Sequence, residues 1–248
     1  MSTDTLGSRR RRSSKSVQVQ GSSWLRRLPL LPALLLAALL VYLGARLLLA
    51  GIAAYQAQRF LEDWSSKGQE PQPRAWQIAH DAAQRATALY PADNGEYLEQ
   101  LARIQQWQQI SHPPGADSAK ASRQAARDSF RAAIAARPTW PYNWTGLAGI
   151  KLLLLEIDEE FAEAMQQAHR HAPTRLDINR SLAQTGLLAW MLLDEEEEAL
   201  TLEAARHTFI YNQTEARQLA EFAETIDLLE DLCEYLDATQ TDTRQLCD

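Results

Sequence analysis

The sequence predicts an all-α protein, with a single transmembrane helix followed by pairs of shorter helices. Valine occurs three times in 248 residues, glycine is scarce, and alanine and leucine are abundant. Strands favour β-branched residues, so this composition argues against a sheet. One long uncharged apolar segment lies near the N-terminus, and helix-breaking residues divide the rest of the chain into short helical lengths.

Residues 1–27 are predicted to be a disordered basic tail, with seven Lys/Arg and one acidic residue, Asp4. The segment from Leu28 to Ala50 is a predicted transmembrane helix, since roughly 20 apolar residues cross the hydrocarbon core. Arg46 would lie near its far end and extend to the interface. The positive-inside rule predicts a cytoplasmic tail and a periplasmic body at a bacterial inner membrane. A cleaved signal peptide is the alternative, but the apolar run is long and lacks a clean cleavage motif.

The anchor helix is predicted to extend beyond the membrane, and residues 51–72 comprise this extension and a linker. Residues 73–238 are predicted to form a helical domain, and residues 239–248 a C-terminal tail. The helices are expected at 73–90, 93–110, 118–136, 141–155, 158–171, 175–192, 195–210 and 215–238, the last as a capping helix. The joints between them are short, so neighbouring helices should be antiparallel.

The body is acidic. From residue 55 onward it has 31 Asp/Glu and 17 Lys/Arg. Because such a body repels phosphates, nucleic acid is not an expected partner. The acidic run from Asp194 to Glu198 contains the spacing of a capping box, with Asp194 as the N-cap and Glu197 three residues later. A calcium site is the weaker interpretation, because no glycine-containing loop of alternating carboxylates is present.

Three segments share a pattern of small and apolar residues that ends in proline. The sets are Ala79, Ala83, Ala86, Pro91; Ala126, Phe130, Ala133, Pro138; and Phe161, Met165, Ala168, Pro173. In each set the first three residues lie on one helix face. The pattern resembles the second helix of a tetratricopeptide repeat, and Trp144 and Leu147 match its first helix. This resemblance implies a tetratricopeptide-like α-solenoid of antiparallel helix pairs from residue 73 to about 210.

No motif for catalysis, cofactor binding or metal binding is found. His169 and His171 are two residues apart and therefore face different sides of a helix, which argues against a metal pair. No H-E-x-x-H motif and no glycine-rich phosphate loop occurs. We therefore expect a non-enzymatic protein without a cofactor. Cys233 and Cys247 could form a disulfide in an oxidising compartment or remain two thiols.

The stretch "RPTWPYNW", from Arg137 to Trp144, reads as a joint between helices. Pro138 ends one helix, Thr139 is the predicted N-cap of the next, and Pro141 falls in its first turn. Trp144 begins the packing face, while no helix position requires Trp140 to be buried.

The segment from Arg137 to Pro173 is similar to the VpsP-type proteins of bacterial exopolysaccharide gene clusters. A turn glycine would be expected between Leu153 and Glu156, and this sequence lacks it. The resemblance implies a scaffold that contacts other proteins of a polysaccharide assembly complex. A second hypothesis is a glycan-binding module in which Trp140, Tyr142 and Trp144 are the candidates to stack on polysaccharide, with Trp107 as a further candidate. A third, from architecture alone, is an accessory chaperone at the secretion translocon or an assembly factor for cytochromes.

Overall fold

The computed structural model describes residues 30–243 and 245–247. The chain divides into two compact units, one ending at Gly44 and one beginning at Ala45. The predicted basic tail at residues 1–27 and Leu28, the first residue of the predicted span, lie outside the described residues. The described residues contain helices and no strand, which confirms the predicted all-helical class.

The helices of the described ranges are numbered in chain order. They are α1 Leu30–Lys67, α2 Pro73–Leu89, α3 Gly95–Trp107, α4 Asp117–Ala136, α5 Pro141–Leu154, α6 Glu159–His171, α7 Leu176–Ala189, α8 Glu195–Tyr211, α9 Gln213–Thr225 and α10 Leu229–Ala238. A short 3₁₀ turn, Trp190–Leu192, follows α7.

Helix α1 is long and apolar enough to span a membrane. Within the first unit its side chains from Leu31 onward are almost all exposed. Within the second unit one face of the helix is buried, beginning at Ala50, which was predicted to end the span and is fully buried. Arg46, predicted to reach the membrane interface, donates a hydrogen bond from Nη2 to the carbonyl oxygen of Ala88 at 3.0 Å.

The helices of the second unit pack mainly against their neighbours in the chain. Contacts are most extensive within the pairs α3 and α4, α5 and α6, and α7 and α8. Each pair also contacts the next, both through consecutive helices and through helices two apart, such as α5 and α7. The core is therefore continuous from one pair to the next, with Phe130, Phe161 and Phe209 among its largest buried side chains.

The three proline-ended segments have the same environment. All nine residues that precede the prolines in the repeated pattern are buried. The sixth residue after the proline also has a shared role in two of the joints. Trp144 donates from Nε1 to the carbonyl oxygen of Pro138 at 2.7 Å, and Asn179 donates from Nδ2 to that of Pro173 at 2.9 Å. Different side chains thus make the same hydrogen bond.

The predicted capping helix at 215–238 is wrong, because two helices occupy this region. Asp227 adopts φ 59°, a left-handed conformation that aspartate tolerates better than most residues. Its N–H bonds the carbonyl oxygen of Glu224, and the N–H of Leu228 bonds that of Ala223. These two bonds form a Schellman turn, which ends α9 at Thr225.

Of two other predicted N-caps, the structure confirms one and contradicts the other. The capping box of Asp194 and Glu197 is confirmed at the start of α8. Thr139 is not the N-cap of α5. That position is Trp140, whose side chain makes no capping bond, and Pro141 occupies the first turn as predicted. The turn after α5 lacks the expected glycine and places Leu155 at φ 59°.

A buried lysine joins α5 to the start of α6. Lys151 is 1% exposed, and its Nζ lies 2.9 Å from Asp158 and 2.8 Å from Glu160. Glu160 also accepts two hydrogen bonds from Arg131 on α4. The hydrogen bond from Arg131, supported by Lys151, lowers the pKa of Glu160 to about 2.

Candidate functional site

A groove crosses α3, α5 and α7, the first helices of the three packed pairs. It consists of two adjoining cavities of about 430 and 540 Å³, and Glu99 and Arg103 line both. Its other lining residues include Gln100, Gln106, Arg137, Trp140, Tyr142, Thr145, Gly149, Ser181 and Thr185. Hydroxyl, charged and aromatic groups therefore share one open surface.

Trp140 lies at the edge of this groove and is half-buried. Its indole N–H donates to Oε2 of Glu99 at 3.1 Å, which joins the start of α5 to α3. The guanidinium carbon of Arg137 lies 3.7 Å from the centre of the indole ring, in the geometry of a cation–π contact. One face of Trp140 is thus covered.

Tyr142 extends the same set of contacts to α7. Its ring centre lies 5.1 Å from that of Trp140, and its hydroxyl donates to Asp177. Arg175 stands over the Tyr142 ring at 5.1 Å and donates from Nε to Asp177 at 3.1 Å. The aromatic pair is therefore held by charged groups at both ends.

Glu99 is the least solvated acid of the groove. Burial raises the pKa of its carboxyl, and this effect exceeds the opposing influence of Arg103 and of the Trp140 N–H. Arg103 lies 4.0 Å away, at the limit of an ion pair. Glu99 therefore has room for a closer cation or a stronger hydrogen-bond donor.

Gln100, beside Glu99 on α3, is 8% exposed, and its Oε1 is buried without a hydrogen-bond partner among the described residues. Its Nε2 donates to Gln58 at 3.2 Å. A buried acceptor without a donor is costly, and none of the described residues supplies a donor to this oxygen.

Two glycines of α5 lie along the groove for different reasons. A Cβ added to Gly146 would lie 2.2 Å from the ring of Phe130, so close packing requires glycine there. A Cβ added to Gly149 would meet nothing within 4 Å. Glycine within a helix costs about 1 kcal/mol relative to alanine, and no packing contact in the described structure explains it at Gly149.

The structure brings together the two predicted contact residues, Trp140 and Tyr142, in this groove. Trp107 instead packs against Trp64, with 6.1 Å between ring centres. Cys233 and Cys247 form a disulfide between α10 and the segment after it, with Cα atoms 5.7 Å apart. Among the described residues, no group of three or more His, Cys, Asp or Glu could hold a metal ion.

Sequence reasoning missed Glu99 and Arg103, which line the groove, and Asp177, which accepts the hydroxyl of Tyr142 beside it. Glu99 and Arg103 are four residues apart on α3, a spacing that is no motif by itself, and Asp177 lies on α7. They meet Trp140 and Tyr142 only through packing between helix pairs. Gly149 was one sequence feature that could have indicated an open surface on α5, because it is a glycine inside a predicted helix and no turn explains it.

Comparison of the chain with known proteins adds no family to this description. No family model, no curated protein and no solved structure matches it.

Proposed function

We propose that this protein is a non-catalytic, single-pass scaffold of bacterial exopolysaccharide assembly or export. In this proposal α1 anchors it in the inner membrane, the basic tail is cytoplasmic and the body is periplasmic. The exposed apolar surface of α1 and the basic residues that precede it in the sequence support this topology. The similarity of Arg137–Pro173 to VpsP-type proteins supports the pathway.

The body is proposed to be a tetratricopeptide-like solenoid of antiparallel helix pairs. The pairwise packing, the buried repeat positions and the shared bond to the joint prolines support this arrangement. Repeat arrays present extended concave surfaces to their partners. The groove over α3, α5 and α7 would be part of such a surface.

The observation that carries the binding function is Glu99, an incompletely paired carboxylate in an open groove. A polypeptide segment with a lysine or arginine would pair with Glu99, while Thr145, Ser181 and Thr185 would bond its backbone. We therefore propose an extended segment of a partner protein as the ligand.

Glycan binding is the second candidate, because Trp140 and Tyr142 lie side by side at the groove. A sugar ring stacked on Trp140 would have to use its uncovered face or displace Arg137. Millimolar glycan that quenches tryptophan emission, with the quenching lost in a folded Trp140→Ala variant, would favour this candidate over the polypeptide.

The deciding experiment places a photo-crosslinking amino acid at Gln106, in the groove, in the full-length chain in its own membranes. The matched control position is Arg170, an exposed residue of α6 outside the groove. We expect adducts from Gln106 alone, with a polysaccharide synthase, flippase or co-polymerase. Adducts confined to the secretion translocon or to cytochrome assembly proteins would reject the polysaccharide assignment.

Glu99→Gln tests the chemistry of the groove in the same assay. The glutamine can still accept the Trp140 N–H, but it carries no charge. We expect weaker crosslinking at Gln106 and a free energy of unfolding that is unchanged or higher, because burial disfavours the ionised acid. Undiminished crosslinking would show that a partner cation does not pair with Glu99.

A further inference from the structure

The end of α7 and the 3₁₀ turn after it expose a cluster of large apolar side chains. Leu188 is 54% exposed, Met191 89% and Leu192 61%. Together with Ile226 and Leu228 from the joint of α9 and α10, they border a cavity of about 420 Å³. Single exposed apolar residues are ordinary, but a contiguous group marks an interaction surface. We call these five residues the cap patch.

Exposed carboxylates lie next to the cap patch in both of the chain segments that form it. Glu195 lies after the 3₁₀ turn, and Glu224, Asp227 and Glu230 flank the joint of α9 and α10. The ion pairs of the described residues use none of these four. The sequence has no lysine or arginine at 181–205 or at 218–243, so neither segment supplies a cation of its own to pair with them.

The acidic surface continues along α10. Glu230, Glu234 and Asp237 are spaced on one helix face and line a further cavity of about 670 Å³ beside the Cys233–Cys247 disulfide. Like charges at this spacing repel one another by a few tenths of a kcal/mol. A cationic partner would remove that repulsion.

The charge arrangement distinguishes between the possible occupants of the cap patch. A symmetric contact between two copies would place the same carboxylates opposite one another, which costs free energy. A helix with an apolar face flanked by lysine or arginine matches both the apolar centre and the acidic border. The charges therefore favour a different, basic partner.

We propose that the cap patch docks a basic amphipathic helix of a partner protein. Leucine-like side chains of that helix contact Met191 and Leu192, and its lysines or arginines pair with Asp227 and Glu230. This surface is separate from the groove, and its occupancy does not depend on the function proposed for the groove.

The test uses the full-length chain in nanodiscs of uncharged lipid, with empty nanodiscs as the blank. The probe is a fluorescent synthetic helix of leucine and lysine, and the comparison probe replaces every lysine with glutamate. Fluorescence anisotropy measures the dissociation constant at low and high salt. We expect the Leu/Lys helix to bind, to weaken as salt increases, and to bind far more tightly than the Leu/Glu helix.

Two pairs of substitutions separate the apolar and electrostatic parts. Met191→Ser with Leu192→Ser should raise the dissociation constant about tenfold or more. Asp227→Asn with Glu230→Gln should raise it several-fold and flatten the salt dependence. Asparagine tolerates the left-handed conformation of Asp227, so this pair should keep the turn. Ile78→Ser, at an exposed apolar residue of α2, is the matched control and should change nothing.

Three outcomes overturn the proposal. The first is equal binding of the Leu/Lys and Leu/Glu helices. The second is an unchanged dissociation constant in the Met191→Ser, Leu192→Ser variant with its helical content intact. The third is self-association that this variant abolishes while the wild type does not bind the probe, which would assign the patch to a second copy.

Discussion

Leu155 holds a backbone conformation that leucine rarely adopts. It occupies the left-handed position of the Schellman turn that ends α5, where its N–H bonds Leu152 and the next N–H bonds Lys151. A left-handed conformation costs an L-residue about 1–2 kcal/mol. The side chain is 56% exposed, so burial offsets little of this strain.

Leu155→Gly is therefore expected to raise the free energy of unfolding by about 0.5–1 kcal/mol, since relief of strain exceeds the added flexibility of the unfolded chain. Urea unfolding of the full-length chain in detergent, followed by circular dichroism, measures the change. Leu155→Ala keeps the strain and serves as the control. A glycine variant less stable than the alanine variant would contradict the prediction.

Glu160 predicts a dependence of stability on pH. Its pKa of about 2 in the folded protein lies below the ordinary value of 4.5. Ionised Glu160 therefore stabilises the fold above pH 4.5, and this contribution is lost as the pH falls towards 2. Glu160→Gln should lower the free energy of unfolding by about 1–3 kcal/mol at pH 7.

The same variant should approach wild-type stability near pH 2, where about half of wild-type Glu160 is protonated and most of its stabilising contribution is lost. Unfolding curves at several pH values provide the measurement. Glu159→Gln, at the exposed neighbouring position, is the control and should have little effect. A deficit for Glu160→Gln that is the same at pH 7 and pH 2 would show that packing, not charge, explains it.

At the scale of the elements, α5 offers a matched pair of glycines. Gly146→Ala should destabilise the fold by about 1–3 kcal/mol, because its Cβ would overlap the Phe130 ring. Gly149→Ala should instead stabilise the helix by about 0.5–1 kcal/mol, because its Cβ enters open space.

The second substitution also narrows the groove, so crosslinking from Gln106 should decrease although the protein becomes more stable. Thermal unfolding and the crosslinking assay together separate these effects. If Gly149→Ala leaves crosslinking intact, the open space beside Gly149 is not used by the partner.

The helix boundaries illustrate what local sequence can reveal. Proline and aspartate signals predicted the starts of α5 and α8, because these residues act within one turn of the chain. The break at Asp227 was missed, since aspartate can also continue a helix and the deciding bond joins Leu228 to Ala223. Of the groove residues, only Trp140 and Tyr142 were predicted as contact residues, because Glu99 meets Trp140 through packing between segments that are distant in sequence.

For the whole molecule, the disulfide between Cys233 and Cys247 ties the segment after α10 to that helix. In the chain-entropy description, closing so short a loop stabilises the fold by at most about 3 kcal/mol. Cys247→Ser should therefore lower the free energy of unfolding by up to this amount. The double variant Cys233→Ser, Cys247→Ser should lower it by the same amount as the single variant.

The oxidation state of these cysteines also tests the proposal that the body lies in the periplasm. Protein purified from membranes without reductant should resist alkylation until a reductant is added, which mass spectrometry detects. Complete alkylation before reduction would contradict a periplasmic body, because an oxidising compartment preserves such bonds.

At the joints between helix pairs, different side chains donate the same hydrogen bond to a proline carbonyl oxygen. Trp144 and Asn179 share neither size nor aromaticity, yet each donates an N–H to the carbonyl oxygen of the proline six residues before it. Selection at this position can therefore act on donor chemistry rather than on residue identity. The two helix pairs that meet at a joint can then differ in sequence while the joint itself persists, provided that an N–H still reaches the proline.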